Sequence, residues 1–347
     1  LPSVFQRPRA PFIPVERPNG VVVERILDSK ASGSLNPGDK LLAWGGTRIP
    51  LTEAIEFLGD LSSIGTAVSV TFERNKNVEH TEIRLVPYYP TPRFLFIVVF
   101  VGFVIWGIAI FILLQGPPAL PSLTLYWTLV AFAVTILITP GAVSPRDFIS
   151  LLERFLFFLS YMGVVALFLF FTLVYPRARS ANVPFMAGVT FIPALALVAG
   201  MSYFHLSDLW RGSLEHFESF QLLFDVFQGS LFVYMGGGIL IVIQSYRRAE
   251  SNEERRRLQW VIWGTAIGSA PFLFLHVLPQ ILFSSYLIPE EYATMFFLVV
   301  AFSYAISVVR YRFLDIELVI NRSIVYGILT LLLLTMYFLV VLLFAPM

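Results

Sequence analysis

The chain of 347 residues contains no cysteine, and only 14% of its residues are charged. The absence of cysteine excludes disulfide bonds and metal sites built on thiolates. Soluble domains usually carry about 25% charged residues, whereas here 57% of the residues are hydrophobic and 16% are aromatic. The formal net charge of +1 gives no electrostatic basis for binding nucleic acid. The composition therefore indicates a membrane protein.

The sequence also lacks the motif of a zinc protease inside the membrane. Its four histidines are His80, His205, His216 and His276. None of them has the His-Glu-x-x-His spacing, which places two imidazoles and a carboxylate on one helix face. No serine has the flanking residues of a nucleophile. We therefore assign no catalytic residue, no metal site and no cofactor, and whether the full-length protein is an enzyme is left open.

The first 88 residues differ in character from the rest. Residues 1–18 carry five prolines, which predicts an extended lead-in. Residues 19–88 hold most of the acidic and polar residues and no run long enough to span a membrane. Alternating apolar and polar residues predict strands at 20–27, 41–44, 67–73 and 80–86, and helical spacing predicts a helix over 52–61 with Thr52 as its cap. The sequence thus predicts a small β-rich domain.

Within this domain, Ser34-Leu-Asn-Pro-Gly-Asp-Lys-Leu-Leu-Ala-Trp-Gly-Gly46 resembles the signature that PDZ domains carry before and within one strand. The turn Pro37-Gly38-Asp39 reverses the chain, and helix 52–61 occupies the position of the PDZ groove helix. The resemblance implies a PDZ-like fold that binds extended peptides by adding a strand to a sheet edge. A purely structural, docking role for the domain is the alternative.

After residue 92 the chain consists of long apolar runs with short connections. A helix needs about 20 apolar residues to cross a bilayer. Eight candidate spans meet this length, near 94–115, 120–139, 154–175, 183–203, 220–246, 258–284, 291–309 and 323–345. The predicted fold class is a multi-pass α-helical membrane protein, with a membrane domain over 94–345 and a small extracytoplasmic β-rich PDZ-like domain over 19–88.

The arginines assign each connection to one side of the membrane. One set of alternate connections contains ten: Arg177, Arg179, Arg247, Arg248, Arg255, Arg256, Arg257, Arg310, Arg312 and Arg322. The other set contains three: Arg146, Arg154 and Arg211. Because connections rich in Lys and Arg stay in the cytoplasm, the PDZ-like domain is predicted outside a bacterial plasma or inner membrane. We expect a signal or span before Leu1, and a further span after Met347 if there is a cytoplasmic output.

The segment 310–327, Arg-Tyr-Arg-Phe-Leu-Asp-Ile-Glu-Leu-Val-Ile-Asn-Arg-Ser-Ile-Val-Tyr-Gly, resembles a segment in multi-span sensor regions of bacterial histidine kinases. Together with the exported PDZ-like domain and His276-Val-Leu-Pro279, the layout is similar to that of quorum-sensing kinases. The resemblance implies a homodimeric receptor that detects an extracellular signal, such as a modified peptide, and controls a cytoplasmic kinase. A transporter or lipid-handling membrane protein with an exported accessory domain is the alternative.

Polar groups inside the spans indicate where a ligand would bind, because they are costly to expose to lipid. Asp225 and Gln228 lie one turn apart in the fifth span, His276 lies in the sixth, and Glu153 and Arg154 lie at the edge of the third. We predict an outward-opening pocket with Asp225, Gln228 and His276 as polar floor. The predicted apolar walls are Trp210, Phe224, Phe227 and Phe274. Interhelical hydrogen bonds are the alternative role for these polar groups.

Three other segments have two interpretations each. Residues 204–219 hold His205, Asp208, Glu215, His216 and Glu218, which suits either a metal site or, as we prefer, an interfacial segment with Trp210 at the lipid headgroups. Gly236-Gly-Gly238 predicts close helix packing or a flexible point. The arginines of the connection 247–257 either serve only to keep it in the cytoplasm or also bind membrane lipids through their anionic headgroups.

Overall fold

A computed structural model describes residues 7–89, 93–139, 141, 148–176, 182–279 and 287–309. These residues form an N-terminal β domain followed by a bundle of long helices. The eighth predicted span, 323–345, and the segment 310–327 lie outside the described residues.

The β domain is built on one antiparallel sheet with the strand order β2-β3-β4-β6-β7. The strands are β1 (Pro8–Arg9), β2 (Phe12–Arg17), β3 (Gly20–Ile26), β4 (Lys40–Trp44), β5 (Thr47–Arg48), β6 (Ala67–Arg74), β7 (Asn77–Arg84) and β8 (Val86–Pro87). The short β5 pairs with β4, and β1 pairs with β8. The predicted lead-in is thus part of the domain, because its residues 12–17 form the edge strand β2.

One face of this sheet carries the core of the domain. Buried side chains alternate along the strands, with Val68, Val70 and Phe72 inward from β6, as expected for a sheet that is covered on one side. Phe12 and Trp44 meet edge to face, with ring centroids 6.4 Å apart. The single helix of the domain, α1 (Thr52–Asp60), packs Ile55 into this core.

The turns of the domain follow from local chemistry. Asn75 and Lys76 have φ values of 52° and 68°, which closes the β6–β7 hairpin. In the Pro37-Gly38-Asp39 turn, Gly38 has φ 98°, and the buried carboxylate of Asp39 accepts a hydrogen bond of 2.7 Å from the Asn36 amide. Asp39 also accepts hydrogen bonds from the Arg74 guanidinium. Thr52 does not cap α1, since it is the first helical residue and Leu51 occupies the cap position without a side-chain bond.

Among the residues that the structure describes, seven helices are long and apolar enough to cross a membrane. The helices of the bundle are α2 (Arg93–Gln115), α3 (Leu120–Ile138), α4 (Phe148–Val174), α5 (Val183–Arg211), α6 (Phe217–Arg248), α7 (Asn252–Pro271), α8 (Glu290–Met295) and α9 (Phe297–Val309). A π-helical segment, Phe272–Val277, continues α7, and α8 and α9 together form the seventh span. The predicted N-terminal β-sheet region and the predicted series of long apolar helices are confirmed.

The two largest apolar clusters of the bundle both include side chains of α4 and α6. The larger cluster joins α2, α3, α7 and α9 around Ile105, Leu129, Val261 and Ala301. The smaller one joins α4, α5 and α6 around Phe158, Met201 and Phe227.

Hydrogen bonds between helices supplement the apolar packing. Tyr175 Oη lies 2.6 Å from Ser307 Oγ, and Ser307 in turn donates a bond of 2.8 Å to the Arg257 carbonyl. Thr265 Oγ1 and Tyr304 Oη lie 2.6 Å apart. Polar contacts of this kind fix the register of packed membrane helices.

Candidate functional site

The β domain packs directly against one end of the helix bundle. Ala54 and Phe57 of α1 form a buried cluster with Leu209 of α5 and Phe217 of α6, and Leu151 of α4 packs against it. The Phe57 and Phe217 ring centroids are 6.0 Å apart. We call this end of the bundle, where α4 and α6 begin and α5 ends, the β-domain end. A single short helix of the β domain therefore contacts three long helices.

A buried group of charges lies beside this apolar cluster. The Asp60 carboxylate at the end of α1 accepts hydrogen bonds of 3.0 and 3.2 Å from the Arg7 guanidinium. It also accepts one of 2.9 Å from Arg154 Nη2 of α4. The exposed fractions of the three side chains are 11% for Arg7, 10% for Asp60 and 22% for Arg154. We call these three residues the docking triad. One carboxylate thus ties the N-terminal segment, α1 and α4 together.

Aromatic rings complete the surroundings of the triad. The Arg7 guanidinium carbon lies 4.4 Å from the centroid of the Tyr88 ring, a cation–π distance. Burial lowers the pKa of Arg7, but the Asp60 carboxylate outweighs it and the net shift is upward. Burial also raises the pKa of the Tyr88 phenol, to about 12. Arg7 therefore stays charged, and Tyr88 stays neutral, through the physiological pH range.

His205 of α5 is packed at the same end of the bundle. Its ring centroid is 5.7 Å from that of Phe57, 5.4 Å from that of Phe158 and 4.6 Å from that of Phe220. Its Nδ1 atom is buried and has no hydrogen-bond partner among the residues that the structure describes. The imidazole thus serves as an aromatic packing unit between α1, α4, α5 and α6.

The chain enters the bundle at this same end. Tyr89 stacks on Phe94 in the first turn of α2, with ring centroids 4.6 Å apart. Arg93 Nη1 donates a hydrogen bond of 3.0 Å to Tyr292 Oη at the start of the seventh span. These contacts add two further helices to those that touch the β domain or its exit segment.

The arginine-rich connection lies at the opposite end of the bundle. Helix α6 begins at the β domain and has 32 residues, which at 1.5 Å per residue is about 48 Å. Arg247 and Arg248 occupy its last turn. Ser251 caps α7 by accepting a bond of 3.1 Å from the Glu254 amide. We call this end, residues 247–257, the arginine end.

The structure brings together only some of the residues predicted to bind a ligand. Phe224 and Phe227 stack with centroids 6.0 Å apart. Phe227 is fully buried against α4, so its ring belongs to the packed core and not to an open cleft. Asp225 and Gln228 lie on the opposite, exposed side of α6.

The other three predicted residues lie elsewhere. His276 Nδ1 lies 3.1 Å from the Ile288 carbonyl oxygen. Phe274 is 56% exposed and Trp210 is 64% exposed. Within the described part of the chain, we observe no contact that joins Asp225 or Gln228 to His276. A ligand site at these seven residues therefore stays a prediction.

Segment 204–219, for which we preferred the interpretation as an interfacial segment, is mostly helical. Helix α5 continues to Arg211 and α6 begins at Phe217, because Gly212 adopts φ 65° and closes α5. Asp208 is buried and accepts hydrogen bonds of 3.1 Å from the His216 amide, while His216 Nδ1 lies 3.0 Å from its carboxylate. Asp208 and His216 therefore brace the turn. Within the described ranges, no group of three or more possible metal ligands is present.

The glycines at 236–238 differ in their surroundings. A Cβ at Gly238 would lie 2.5 Å from Phe168 of α4, whereas one at Gly236 would meet nothing within 4 Å. Close packing of α6 on α4 therefore accounts for Gly238 alone.

The sequence did not single out Arg7 or Asp60, because each is an ordinary charged residue of a polar segment. Arg154 did stand out, as a charge at the edge of an apolar run. An unpaired arginine at such a position signals a distant acidic partner, but the sequence does not say which one. No protein-family model, no curated protein and no solved structure matches this chain.

Proposed function

We propose that this chain is the sensory module of a bacterial membrane signalling protein, in which the β domain lies outside the cell. In this account the module detects an extracellular signal, such as a lipid-modified peptide, and controls a cytoplasmic histidine kinase as a homodimer. The observation that carries the proposal is the docking of the β domain on α4, α5 and α6 through the docking triad and the apolar cluster around Phe57.

This docking supports a sensory role because it couples a soluble domain to membrane helices. Removing one partner of a buried ion pair costs about 3–5 kcal/mol, so the β domain and the helix ends move as one unit. A signal that binds one arrangement of this unit more tightly than another shifts the population between them. The shift then reaches the arginine end along α6, which runs the whole length of the bundle.

The PDZ-like interpretation is supported by the position of α1 beside the edge strand β2. A cavity of about 120 Å³ lies between them, and Arg7, Arg9, Ile55 and Glu56 are among its lining residues. This is where a PDZ domain holds an added strand. Pro14 lies in the middle of β2 next to a register shift, and proline supplies no amide hydrogen for a new strand. In our proposal the cavity therefore binds a short peptide end and not a long strand.

The proposed orientation is supported by the positions of the two ends. The β domain contacts one end of the bundle, and Arg247, Arg248, Arg255 and Arg256 are exposed at the other. Arginine-rich connections stay in the cytoplasm, which leaves the β domain outside.

One observation favours the transporter alternative. Pro271 and the π-helical segment Phe272–Val277 interrupt the sixth span, and interrupted helices line the substrate sites of many transporters. An interrupted helix also suits a receptor that bends on activation. The docking of the β domain decides our preference, since a transporter does not require it.

The test uses the full-length gene product in membranes of its host. Phosphorylation from labelled ATP is measured with and without medium from dense cultures. We expect a response in the wild type, and its loss in Asp60→Ala at equal membrane abundance. Glu53→Ala, an exposed change in the same helix, is the matched control and is expected to respond normally. A normal response of Asp60→Ala would overturn the proposed coupling, and absence of phosphorylation in every variant would overturn the kinase assignment.

A further inference from the structure

The outward face of α6 carries two polar side chains in an otherwise apolar stretch. Asp225 is the only ionisable residue between Glu218 and Arg247 except for tyrosines, and both it and Gln228 are exposed. Asp225 follows the start of α6 by eight residues, or about 12 Å along the axis. A carboxylate on the lipid-facing side of a span costs several kcal/mol unless a polar partner covers it. The exposed Asp225 thus calls for a partner outside the bundle described above.

The same face has the shape that another helix would need. Asp225, Gly229, Phe232 and Gly236 recur at intervals of three and four residues, so they form one stripe. Phe232 is 72% exposed. A Cβ added at Gly229 or Gly236 would meet nothing within 4 Å. The stripe therefore alternates a large ring with two glycines at which a second helix backbone can approach closely.

The buried side of α6 lies directly opposite this stripe. Phe227, Tyr234 and Val242 are buried against the rest of the bundle. In an 18-residue apolar stretch, 22% of the residues are buried in α6, as in α5 and the sixth span, against 72% in the seventh span. Helix α6 therefore uses one face for internal packing, and the other face is exposed among the residues that the structure describes.

We propose that this stripe is the contact surface for a second copy of this chain, related by a twofold axis along the membrane normal. In two parallel copies of α6, Asp225 of one helix and Gln228 of the other are about 4.5 Å apart along the helix axis. The glutamine side chain is long enough to bridge this distance. The amide of Gln228 donates and the carboxylate of Asp225 accepts. Because the contact is symmetric, the pair forms twice.

Because the two helices are identical, every side chain near the axis meets its own copy. Two Asp225 carboxylates alone would repel each other, whereas the Gln228 amide one turn away donates a hydrogen bond to the Asp225 carboxylate of the other helix. Each Phe232 ring fits between Gly229 and Gly236 of the opposite helix. This role replaces the predicted place of Asp225 and Gln228 in a pocket floor, since both side chains point away from the bundle core.

The inference rests on the proposed membrane location of α6 and not on the sensory role. The 347 residues contain no cysteine, so a single introduced thiol has no competitor within them. Phe232→Cys is compared with Val233→Cys, whose side chain is equally exposed at 71% but lies about 100° around the helix. Both positions face away from the chain's own core, so neither substitution disturbs it.

The full chain carrying each single cysteine is oxidised in its native membranes and analysed without reductant. We expect a band at twice the chain mass for Phe232→Cys, and at least fivefold less of it for Val233→Cys. Adding Asp225→Leu and Gln228→Leu to Phe232→Cys should lower the dimer band roughly thirtyfold, given two interhelical hydrogen bonds of about 1 kcal/mol each. Adding Val226→Leu is the control and should leave the band unchanged.

Equal crosslinking of Phe232→Cys and Val233→Cys, or conjugates with a different protein, would overturn the second copy as occupant. Insensitivity of the band to the two leucine changes would overturn the role of the polar pair. Alkaline carbonate extraction distinguishes an error in the dimer surface from an error in the proposed membrane location. A chain that is extracted from membranes contradicts the membrane location itself, whereas one that remains inserted without crosslinks contradicts only the dimer surface.

Discussion

The residue with the greatest expected effect on the assembly of the two domains is Asp60. Its carboxylate is shared by two guanidinium groups that come from residues 53 and 94 positions away. A buried pair is weak evidence for high stability, but removing its single carboxylate leaves two buried positive charges facing each other. The cost of that change falls on the contact between domain and bundle, because Arg7 and Arg154 lie on its two sides.

Asp60→Ala is expected to weaken the docking of the β domain by about 3 kcal/mol or more. The free energy of unfolding of the purified chain in detergent measures the effect, and limited proteolysis shows whether the β domain separates first. Glu53→Ala removes an exposed carboxylate from the same helix and should cost less than about 0.5 kcal/mol. Equal stability of the two variants would contradict the role of the triad.

We expect the protein to lose stability at alkaline pH when the buried phenol of Tyr88 ionises. Burial raises the pKa of its phenol to about 12, whereas an unfolded tyrosine ionises near 10. The folded state therefore holds this proton more tightly, and the stabilisation is complete below about pH 10 and is lost as the pH rises towards 12. Thermal unfolding from pH 8 to 12 should show a steeper decline for the wild type than for Tyr88→Phe. If the unfolding temperatures of the wild type and Tyr88→Phe fall equally as the pH rises, ionisation of Tyr88 does not cause the loss of stability.

At the scale of elements, most helices and strands were predictable, and their ends were not. Apolar runs of about 20 residues predicted the spans, and alternation predicted β3, β4, β6 and β7, since both patterns reflect burial within one element. Helix α4 begins at Phe148, six residues before the predicted 154. Charges at Glu153 and Arg154 ended the apolar run in the sequence. In the structure Asp60 pairs with Arg154, so the helix continues through it.

The glycines of α6 give a matched pair of variants. Gly238→Ala places a methyl group 2.5 Å from the Phe168 ring, whereas the methyl group of Gly236→Ala meets no described atom of its own chain within 4 Å. In the dimer proposed above it would face the other copy, so the two variants are compared as detergent-solubilised monomers. Overpacking of this kind costs about 1–3 kcal/mol, while replacing an open helical glycine by alanine stabilises by up to about 1 kcal/mol. Thermal unfolding in detergent should therefore shift in opposite directions for the two variants. A similar shift in both would show that α6 does not pack on α4 as described.

At the scale of the whole molecule, the chain forms a β domain seated on one end of a helix bundle whose other end carries the exposed arginines. The sequence predicted both parts, because composition and periodicity differ sharply around residue 90. It did not predict their contact, which depends on partners far apart in the chain, such as Phe57 with Phe217. The sequence also did not show which side of α6 is buried, because apolar residues surround the whole helix, and the ligand pocket stays a prediction.

The accessibility of single cysteines on intact cells tests the central claim, that the β domain and the arginine end lie on opposite sides of the membrane. Val78→Cys lies on β7 and is 60% exposed, and Asn252→Cys lies exposed at the start of α7. A maleimide that cannot cross membranes should label Val78→Cys on intact cells, and Asn252→Cys only after permeabilisation. Labelling of Asn252→Cys on intact cells, or protection of Val78→Cys until the membrane is opened, would contradict the account.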